Sequence, residues 1–193
     1  MVAVADGMGS RVRAAESATA ACQAARDAIH ALGTDSFVER HFVQAIAAMY
    51  RIRLGSYPDD QIGSTCLFSW ARPTGELIVG ACGDGAVIID SAEGTAKVEV
   101  PARGWLNETI GVGPGAPWIF LRQPLRARQI VVLATDGVAN DIVEGAEADF
   151  VAAIREGLVS SPPSKRSGLL QSELRRWPNP ATRDDLTIAV HLP

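Results

Sequence analysis

Four aspartates stand at the ends of apolar, strand-like runs, although they lie far apart along the chain. Asp136 follows the unbroken apolar run Ile130–Ala134 and Thr135, and the other three are Asp6, Asp84 and Asp184. A carboxylate at the mouth of a buried strand is costly to desolvate unless a partner such as a metal ion pairs with it. Asp-Gly is also an ordinary turn dipeptide, so one occurrence alone carries little information. Because the pattern recurs four times, we expect these carboxylates to converge on one divalent cation site.

The ligand types favour a hard cation. Magnesium and manganese prefer carboxylate, carbonyl and water oxygens, and the Asp-Gly motifs themselves contain no His or Cys. A glycine beside an aspartate lets the backbone turn tightly and offer its own carbonyl as a ligand. Two such ions about 4 Å apart can activate a water and clamp a phosphoryl group for in-line attack. That chemistry needs no side-chain nucleophile, which suits a chain with no Gly-x-Ser-x-Gly motif and no evident His–nucleophile pair.

Composition excludes several other functions. A chain of 193 residues predicts one domain over residues 1–193, and 47% hydrophobic with 21% charged residues is typical of a globular protein. The net charge of −4 favours neither nucleic acid nor an anionic membrane as a partner. No apolar run approaches the ~18 residues of a membrane span, and no secretory signal is evident. We therefore expect a cytoplasmic protein with reduced, buried thiols at Cys22, Cys66 and Cys82, and structural roles for the three histidines.

Two helices are predicted before the main run of strands. Small apolar residues recur at three- and four-residue steps over residues 10–32, so this helix should lie close against a sheet or another helix. Gly33 is a natural C-terminal stop. Ser36 and Glu39 then have capping-box spacing and predict a second amphipathic helix from Ser36 to about Arg53.

The rest of the chain is mainly β-rich. Short runs between turn signals predict an antiparallel meander, followed by a hairpin of residues 118–121 and 129–134. Further helices are expected at about 146–156 and 165–176, with a rigid connector at Pro178-Asn179-Pro180. The fold class is α+β, a four-layer α-β-β-α sandwich of two antiparallel sheets flanked by helices. The predicted strands are residues 2–5, 65–70, 76–81, 86–90, 95–100, 118–121, 129–134 and 186–191.

The motifs together resemble those of the type 2C metal-dependent protein phosphatases, the PPM family, in the bacterial form. They occur in the family's order, at about its separations, and span nearly the whole chain. Each motif is weak alone, but five in order are fairly specific. The motifs are Val4-Ala5-Asp6-Gly7-Met8-Gly9, Gly63-Ser64-Thr65, Gly83-Asp84-Gly85, Thr135-Asp136-Gly137 and Asp184-Asp185-Leu186-Thr187.

The resemblance implies a β-sandwich with two magnesium or manganese ions at one end. Carried over by position, Asp6 would bridge both ions, Gly7 would offer its carbonyl to one, and Asp136 and Asp184 would hold the other. Asp84 matches a position that in some members helps to bind a weaker third ion. The implied activity is hydrolysis of phosphoserine and phosphothreonine by a metal-activated water, with no catalytic side chain beyond it. The implied partner is a phosphoprotein, such as the target of a Ser/Thr kinase.

The sequence departs from the family pattern at three places. The family's domain usually begins some tens of residues earlier, with strands that carry a phosphate-binding Arg, so we expect a domain truncated at its N-terminus. Many members have a His soon after the first Asp-Gly, whereas Met8 and Arg11 stand here. The usual Gly-Asp-Ser is replaced by Asp84 between two glycines. Arg11 or Arg13 could orient a phosphate, or either could be a solvated first-turn residue.

Two other functions stay open at this point. The chain could be a non-catalytic phosphatase-like module that binds a phosphoprotein or a partner, because a missing sheet edge would expose backbone groups for pairing. It could also be a different acidic-site hydrolase that acts on a nucleotide or a small phosphoester. The loop at residues 107–115 resembles the flap that shapes substrate access in the family, and no role is assigned to Ser64 or Thr65 beyond strand entry.

Overall fold

A computed structural model describes residues 1–33, 37–99, 109–177 and 184–192. Within these ranges, two four-stranded antiparallel sheets lie between helices, so the predicted four-layer α-β-β-α sandwich is confirmed. The strands are β1 (Val2–Val4), β2 (Cys66–Ala71), β3 (Glu76–Cys82), β4 (Ala86–Ser91), β5 (Gly94–Glu99), β6 (Ile119–Pro124), β7 (Ile130–Ala134) and β8 (Ile188–His191). The helices are α1 (Ala14–Leu32), α2 (Glu39–Leu54), α3 (Asp136–Ala139), α4 (Glu147–Val159) and α5 (Pro163–Arg175), with a short 3-10 helix at Asp59–Gln61.

The first sheet has the order β1-β2-β3-β6. Val4 pairs with Leu67, and Cys66 pairs with Cys82, so the ends of β1, β2 and β3 lie together at one end of the sheet. The outward side chains of β2 and β3 pack under α1 and α2. The alanine face of α1 lets this helix approach closely, because Ala21, Ala24 and Ala25 are fully buried there.

The second sheet has the order β5-β4-β7-β8. All five residues of β7 are buried, as the apolar run without alternation predicts. One face of the strand, with Val131 and Leu133, packs against the first sheet. The other face, with Ile130 and Val132, packs against Val151 of α4. The two sheets therefore share one apolar interior, and helices cover their outer faces.

The predicted meander is confirmed for the pairs β2–β3 and β4–β5 but is wrong for β3–β4, and the predicted hairpin of residues 118–121 and 129–134 is wrong. β3 and β4 lie in different sheets, because the turn at Gly83–Gly85 passes the chain from one sheet to the other. β6 pairs with β3 in the first sheet, while β7 pairs with β4 and β8 in the second. All of these segments are strands, as expected. Their pairing could not be predicted, because a strand–turn–strand pattern has the same local sequence whether the turn closes a hairpin or carries the chain from one sheet to the other.

The first two helices begin later in the chain than the sequence predicts. α1 begins at Ala14 instead of Ser10, because bonds such as Arg13 N–H to the Gln61 carbonyl (2.9 Å) hold the preceding residues in turns. α2 begins at Glu39, while Ser36 of the predicted capping box lies outside the described residues. The Pro178–Pro180 connector and residues 107–108 of the predicted flap also lie outside them. No helix in the described ranges is both long and apolar enough to cross a membrane.

The three cysteines are free, as predicted. Cys66 and Cys82 are fully buried, and Cys22 is partly buried. Burial raises the pKa of the Cys82 thiol to about 12 and also raises the pKa of Cys22 and of Cys66. These thiols are therefore held in their neutral form inside the first sheet and its helical cover.

Candidate metal centre

Asp6, Asp136 and Asp184 meet at one end of the sandwich. One carboxylate oxygen from each lies within 4.8 Å of the other two. Asp6 follows β1 of the first sheet, whereas Asp136 follows β7 of the second sheet and Asp184 precedes β8. Residues separated by up to 178 positions are thus brought together because both sheets end at the same rim.

Asp6 is held in position by the strand-entry segment Ser64–Thr65. The Thr65 N–H donates to the Asp6 carbonyl (2.8 Å), and the Asp6 N–H donates to the Thr65 hydroxyl (2.9 Å). The Ser64 hydroxyl also donates to the Asp6 carbonyl (2.8 Å). Because the whole backbone of Asp6 is bonded in this way, its side chain projects from a fixed point. Ser64 and Thr65 therefore act through the position of Asp6.

Gly7 lies where no side chain would fit. It forms a bridge with Ser64, and a Cβ at Gly7 would come within 2.2 Å of the Ala14 carbonyl oxygen at the start of α1. Contacts this short to backbone cannot be relieved by a side-chain rotation. The first Asp-Gly motif is thus required by the close approach of the loop to α1, in addition to any role of the Gly7 carbonyl as a ligand.

Asp136 and Asp184 are joined through Thr135. The Thr135 N–H donates to the Thr187 carbonyl (3.0 Å), and the Thr187 N–H donates to the Thr135 hydroxyl (3.1 Å). The Gly137 N–H donates to the Asp136 carboxylate (2.8 Å). This network connects the end of β7 to the segment before β8, so the two acidic side chains are carried by one bonded unit.

Burial and mutual repulsion perturb the protonation of the cluster. Burial, with the charges of Asp136 and Asp184, raises the pKa of Asp6 to about 7. Burial, with the charges of Asp84 and Asp184, also raises the pKa of Asp136. No Lys or Arg in the described ranges forms an ion pair with these carboxylates. Clustered carboxylates that repel one another and offer only oxygen ligands fit a hard divalent cation.

Asp84 and Gly7 line the same cavity, of about 480 Å³, but Asp84 stands outside the group of three mutually close carboxylates. The Thr109 hydroxyl donates to the Asp84 carboxylate. Gly83 makes this placement possible, since its φ of +100° and a Cβ position 2.4 Å from the Thr65 side chain both require glycine. Asp84 is therefore near the cluster and already bonded to a loop residue.

Arg11 also lines the cavity, but its guanidinium is directed elsewhere. Its Nη1 donates to the Asp60 carbonyl (2.8 Å), and Arg13 pairs with Glu16 on the first turn of α1. Arg13 therefore has the contact expected of a first-turn residue, whereas Arg11 is bonded to the short 3-10 helix at Asp59–Gln61. Among the cavity-lining residues that the structure describes, Arg11 is the one basic side chain.

Sequence reasoning missed two side chains in this cavity. Thr109 bonds to Asp84, and the charge of Asp185 adds to the raised pKa of Asp6. Asp185 could have been found from the doublet with Asp184, because adjacent residues in an extended segment cannot both face away from a cluster at its end. Thr109 lies within the loop at residues 107–115 that resembles the family's flap, but nothing in its residue type singles it out within that loop.

Comparison with known proteins agrees with this architecture. Residues 1–177 match the sequence profile of the family described as protein phosphatase 2C. No curated protein sequence matches the chain significantly. Three similar solved structures have low sequence identity to it, so they show a common fold alone.

The first is the PPM Ser-Thr phosphatase MsPP from Mycobacterium smegmatis in complex with cacodylate, with a TM-score of 0.65 and 17% identity over 97% of this chain and 85% of that one. The second is PppA of Pseudomonas aeruginosa, described as a regulatory component of T6SS, with a TM-score of 0.61 and 18% identity over 97% and 83%. The third is the SiaA-PP2C domain of Pseudomonas aeruginosa, with a TM-score of 0.60 and 17% identity over 97% and 73%.

Proposed function

The chain belongs to the protein phosphatase 2C family, and we propose that it is a metal-dependent phosphatase of phosphoserine and phosphothreonine in proteins. The observation that carries this proposal is the convergence of Asp6, Asp136 and Asp184 within 4.8 Å at the sandwich rim. The cavity in front of them is open, and its volume of about 480 Å³ admits a phosphorylated side chain.

In this proposal, manganese or magnesium is the cofactor. Asp6 and the Gly7 carbonyl, with Asp136 and Asp184, would hold two ions, and Asp84 would contribute to a weaker third site. When bound, the ions would lower the pKa of a water and neutralise charge on the phosphoryl group. The bond from the Asp6 N–H to the Thr65 hydroxyl holds the Asp6 backbone, and the bond from the Gly137 N–H holds the Asp136 carboxylate, before any ligand arrives. Such preorganisation reduces the cost of assembling the site.

The proposal also assigns a compartment and a partner. Three free cysteines are typical of a reducing compartment, which supports a cytoplasmic location. The substrate is then a cytoplasmic phosphoprotein, the product of a Ser/Thr kinase reaction.

A second candidate is a phosphatase-like module that binds without catalysis. One observation favours it: the Arg11 guanidinium donates to the Asp60 carbonyl (2.8 Å) instead of pointing at the acidic cluster. With no second basic residue among the described lining residues, phosphate capture would depend on the cations alone. Calorimetric titration with manganese separates the two, because the enzyme requires tight binding at two sites and the module does not.

The test of the enzyme is phosphate release from a phosphothreonine peptide and from p-nitrophenyl phosphate, with and without manganese. We expect manganese-dependent turnover that Asp136→Asn lowers by at least about 100-fold, because the substitution removes one ligand charge from the cluster. The variant should stay folded, since its amide oxygen can still accept the Gly137 N–H. Asp149→Asn, at an exposed position of α4, is the matched control. Absence of turnover in the folded wild-type protein would reject the proposal.

A further inference from the structure

Ser17 is a polar residue on the apolar face of α1. The helix is described over its whole length, and its buried residues are all alanine or isoleucine except for Ser17, which is fully buried. A hydroxyl that is removed from water is costly unless a hydrogen bond compensates for it. Alanine at this position would continue the small-residue face of the helix. The serine is therefore not explained by the packing of α1 alone.

The Ser17 hydroxyl is bonded to the loop that precedes β2. It accepts the Gly63 N–H at 3.2 Å, across 46 positions of the chain. The start of α1 holds the same loop through the bond from the Arg13 N–H to the Gln61 carbonyl (2.9 Å). Of these two bonds, only the one to Ser17 depends on a side chain, so it is the one that a substitution can remove.

Gly63 connects α1 to the segment that contains Asp6. Its N–H donates to Ser17, while its carbonyl accepts the Met8 N–H at 3.1 Å. The next two residues, Ser64 and Thr65, form the bridge to Gly7 and the bonds to the Asp6 backbone. Residues 63–65 therefore run antiparallel to residues 6–8, with Gly63 opposite Met8. We refer to these six residues as the entry ladder.

Close packing leaves the entry ladder little room to shift. A Cβ at Gly63 would lie 2.7 Å from the Met8 sulfur, and a Cβ at Gly7 would lie 2.2 Å from the Ala14 carbonyl oxygen. Because hydrogen bonds join the two segments of the ladder, a displacement of Gly63 would also move Met8 and Gly7. The bond from Gly63 to Ser17 thus helps to fix the backbone on which Asp6 is placed.

We propose that Ser17 is a positioning residue of the metal centre. Through Gly63 it holds Asp6 and the Gly7 carbonyl where these groups can bind an ion. The inference rests on the proposed function, because Asp6 and Gly7 are ligands only in that proposal. Ser17 is not among the described residues that line the acidic cavity, so it acts through the loop backbone and not by contact with a ligand.

The first test measures hydrogen exchange by NMR on the metal-free, full-length protein in a chelating buffer. In Ser17→Ala, which removes the acceptor of the Gly63 N–H, we expect the amides of Met8 and Thr65 to exchange at least about tenfold faster relative to those of β7. Ser69→Ala is the matched control and should leave this ratio unchanged. Ser69 is also fully buried, and its hydroxyl lies 2.9 Å from His191 Nδ1, but it is placed further along β2, away from the entry ladder.

The second test is calorimetric titration of the same variants with manganese. Replacing a residue that orients a metal ligand typically costs about 10–100-fold in metal affinity; Ser17 acts one bond further from the ion, so we expect Ser17→Ala to weaken binding about fivefold and Ser69→Ala less than about twofold. Ser17→Cys retains most of the side-chain volume but offers only a weak acceptor, so it should resemble Ser17→Ala. Urea unfolding in the chelating buffer shows whether each variant has kept its fold.

Three outcomes would overturn the inference. These are unchanged exchange at Met8 and Thr65 in Ser17→Ala, an equal loss of manganese affinity in Ser69→Ala, and full manganese affinity in Ser17→Cys, which would show that side-chain volume matters and the hydrogen bond does not. A folded wild-type protein that binds no manganese would count against the proposed function instead. The exchange measurement needs no metal, so it would still decide whether Ser17 holds the entry ladder.

Discussion

Replacement of Asp6 by Asn should stabilise the metal-free protein and at the same time remove its response to manganese. The Asp6 pKa of about 7 in the folded state lies above the value of 3.8 for a free carboxyl group. The ionised form of Asp6 is thus disfavoured by folding, and its cost appears as the pH rises from about 4 to 7 and is constant above that. Below pH 4 both states bind the proton and the cost is absent.

The magnitude follows from the same difference. About three pH units at roughly 1.4 kcal/mol per unit correspond to about 4 kcal/mol. Because Asp6 is only partly buried, solvent screening reduces this to about 2 kcal/mol. For a chain of this length, that is about 4–8 °C in Tm. The Asp6→Asn variant keeps the backbone bonds to Thr65 and can donate its amide N–H to Asp136, so the gain is not offset by a lost contact.

The assay is urea unfolding in a chelating buffer at pH 8 and pH 5, with Glu144→Gln at an exposed loop position as the control. We expect the variant to exceed the wild type by about 2 kcal/mol at pH 8 and by less than half of that at pH 5. Saturating manganese, at about 100 times its Kd, should add about 2.7 kcal/mol to the wild type and little to the variant. A variant that is less stable than the wild type at pH 8 without metal would refute the argument that the cluster is held together against its own repulsion.

Two further substitutions test the supporting structure. His191 Nδ1 lies 2.9 Å from the Ser69 hydroxyl, and burial lowers the His191 pKa to about 4. As the pH falls from 6.5 to 4 the unfolded chain binds the proton first, so in urea unfolding the free energy of unfolding should fall by about 1–2 kcal/mol more for the wild type than for His191→Asn. Parallel curves of this free energy against pH for the two proteins would contradict the prediction. Thr65→Val leaves the Asp6 N–H without its acceptor, so calorimetry should show weaker manganese binding and the free energy of unfolding should fall by about 1–2 kcal/mol. Thr19→Val, at an exposed position, is the control. An equal fall in that variant would contradict a specific role of Thr65 in positioning Asp6.

The layered architecture could be predicted from sequence because each element carries its own periodicity. β7 has five apolar residues without alternation, and only a strand covered on both faces needs that pattern. The small residues of α1 predicted a close approach, and Ala21, Ala24 and Ala25 are fully buried. The pairing of strands could not be predicted, because the turn at Gly83–Gly85 has the composition of a hairpin turn but separates β3 and β4 into different sheets.

The acidic residues were found for a physical reason that does not extend to their neighbours. A charged carboxylate at the end of an apolar strand is costly to desolvate, and this unusual combination can be recognised in the sequence at Asp6 and Asp136. Thr109 and Arg11 have no such unusual combination of residue type and neighbouring sequence. The contact of Thr109 with Asp84 and that of Arg11 with the Asp60 carbonyl depend on loops that meet only in the folded chain.

The three clustered carboxylates are attached to two different sheets, and this determines where their repulsion acts. Asp6 is carried by the first sheet, and Asp136 with Asp184 by the second, so their repulsion acts across the interface between the sheets. That interface is apolar and continuous, with Val4 and Leu67 on one side and Val131 and Leu133 on the other. Burial of such side chains contributes roughly 1.5–3 kcal/mol each, so the four together outweigh the cost of about 2 kcal/mol at Asp6. The apolar contact between the sheets therefore outweighs the repulsion among the carboxylates at their common rim.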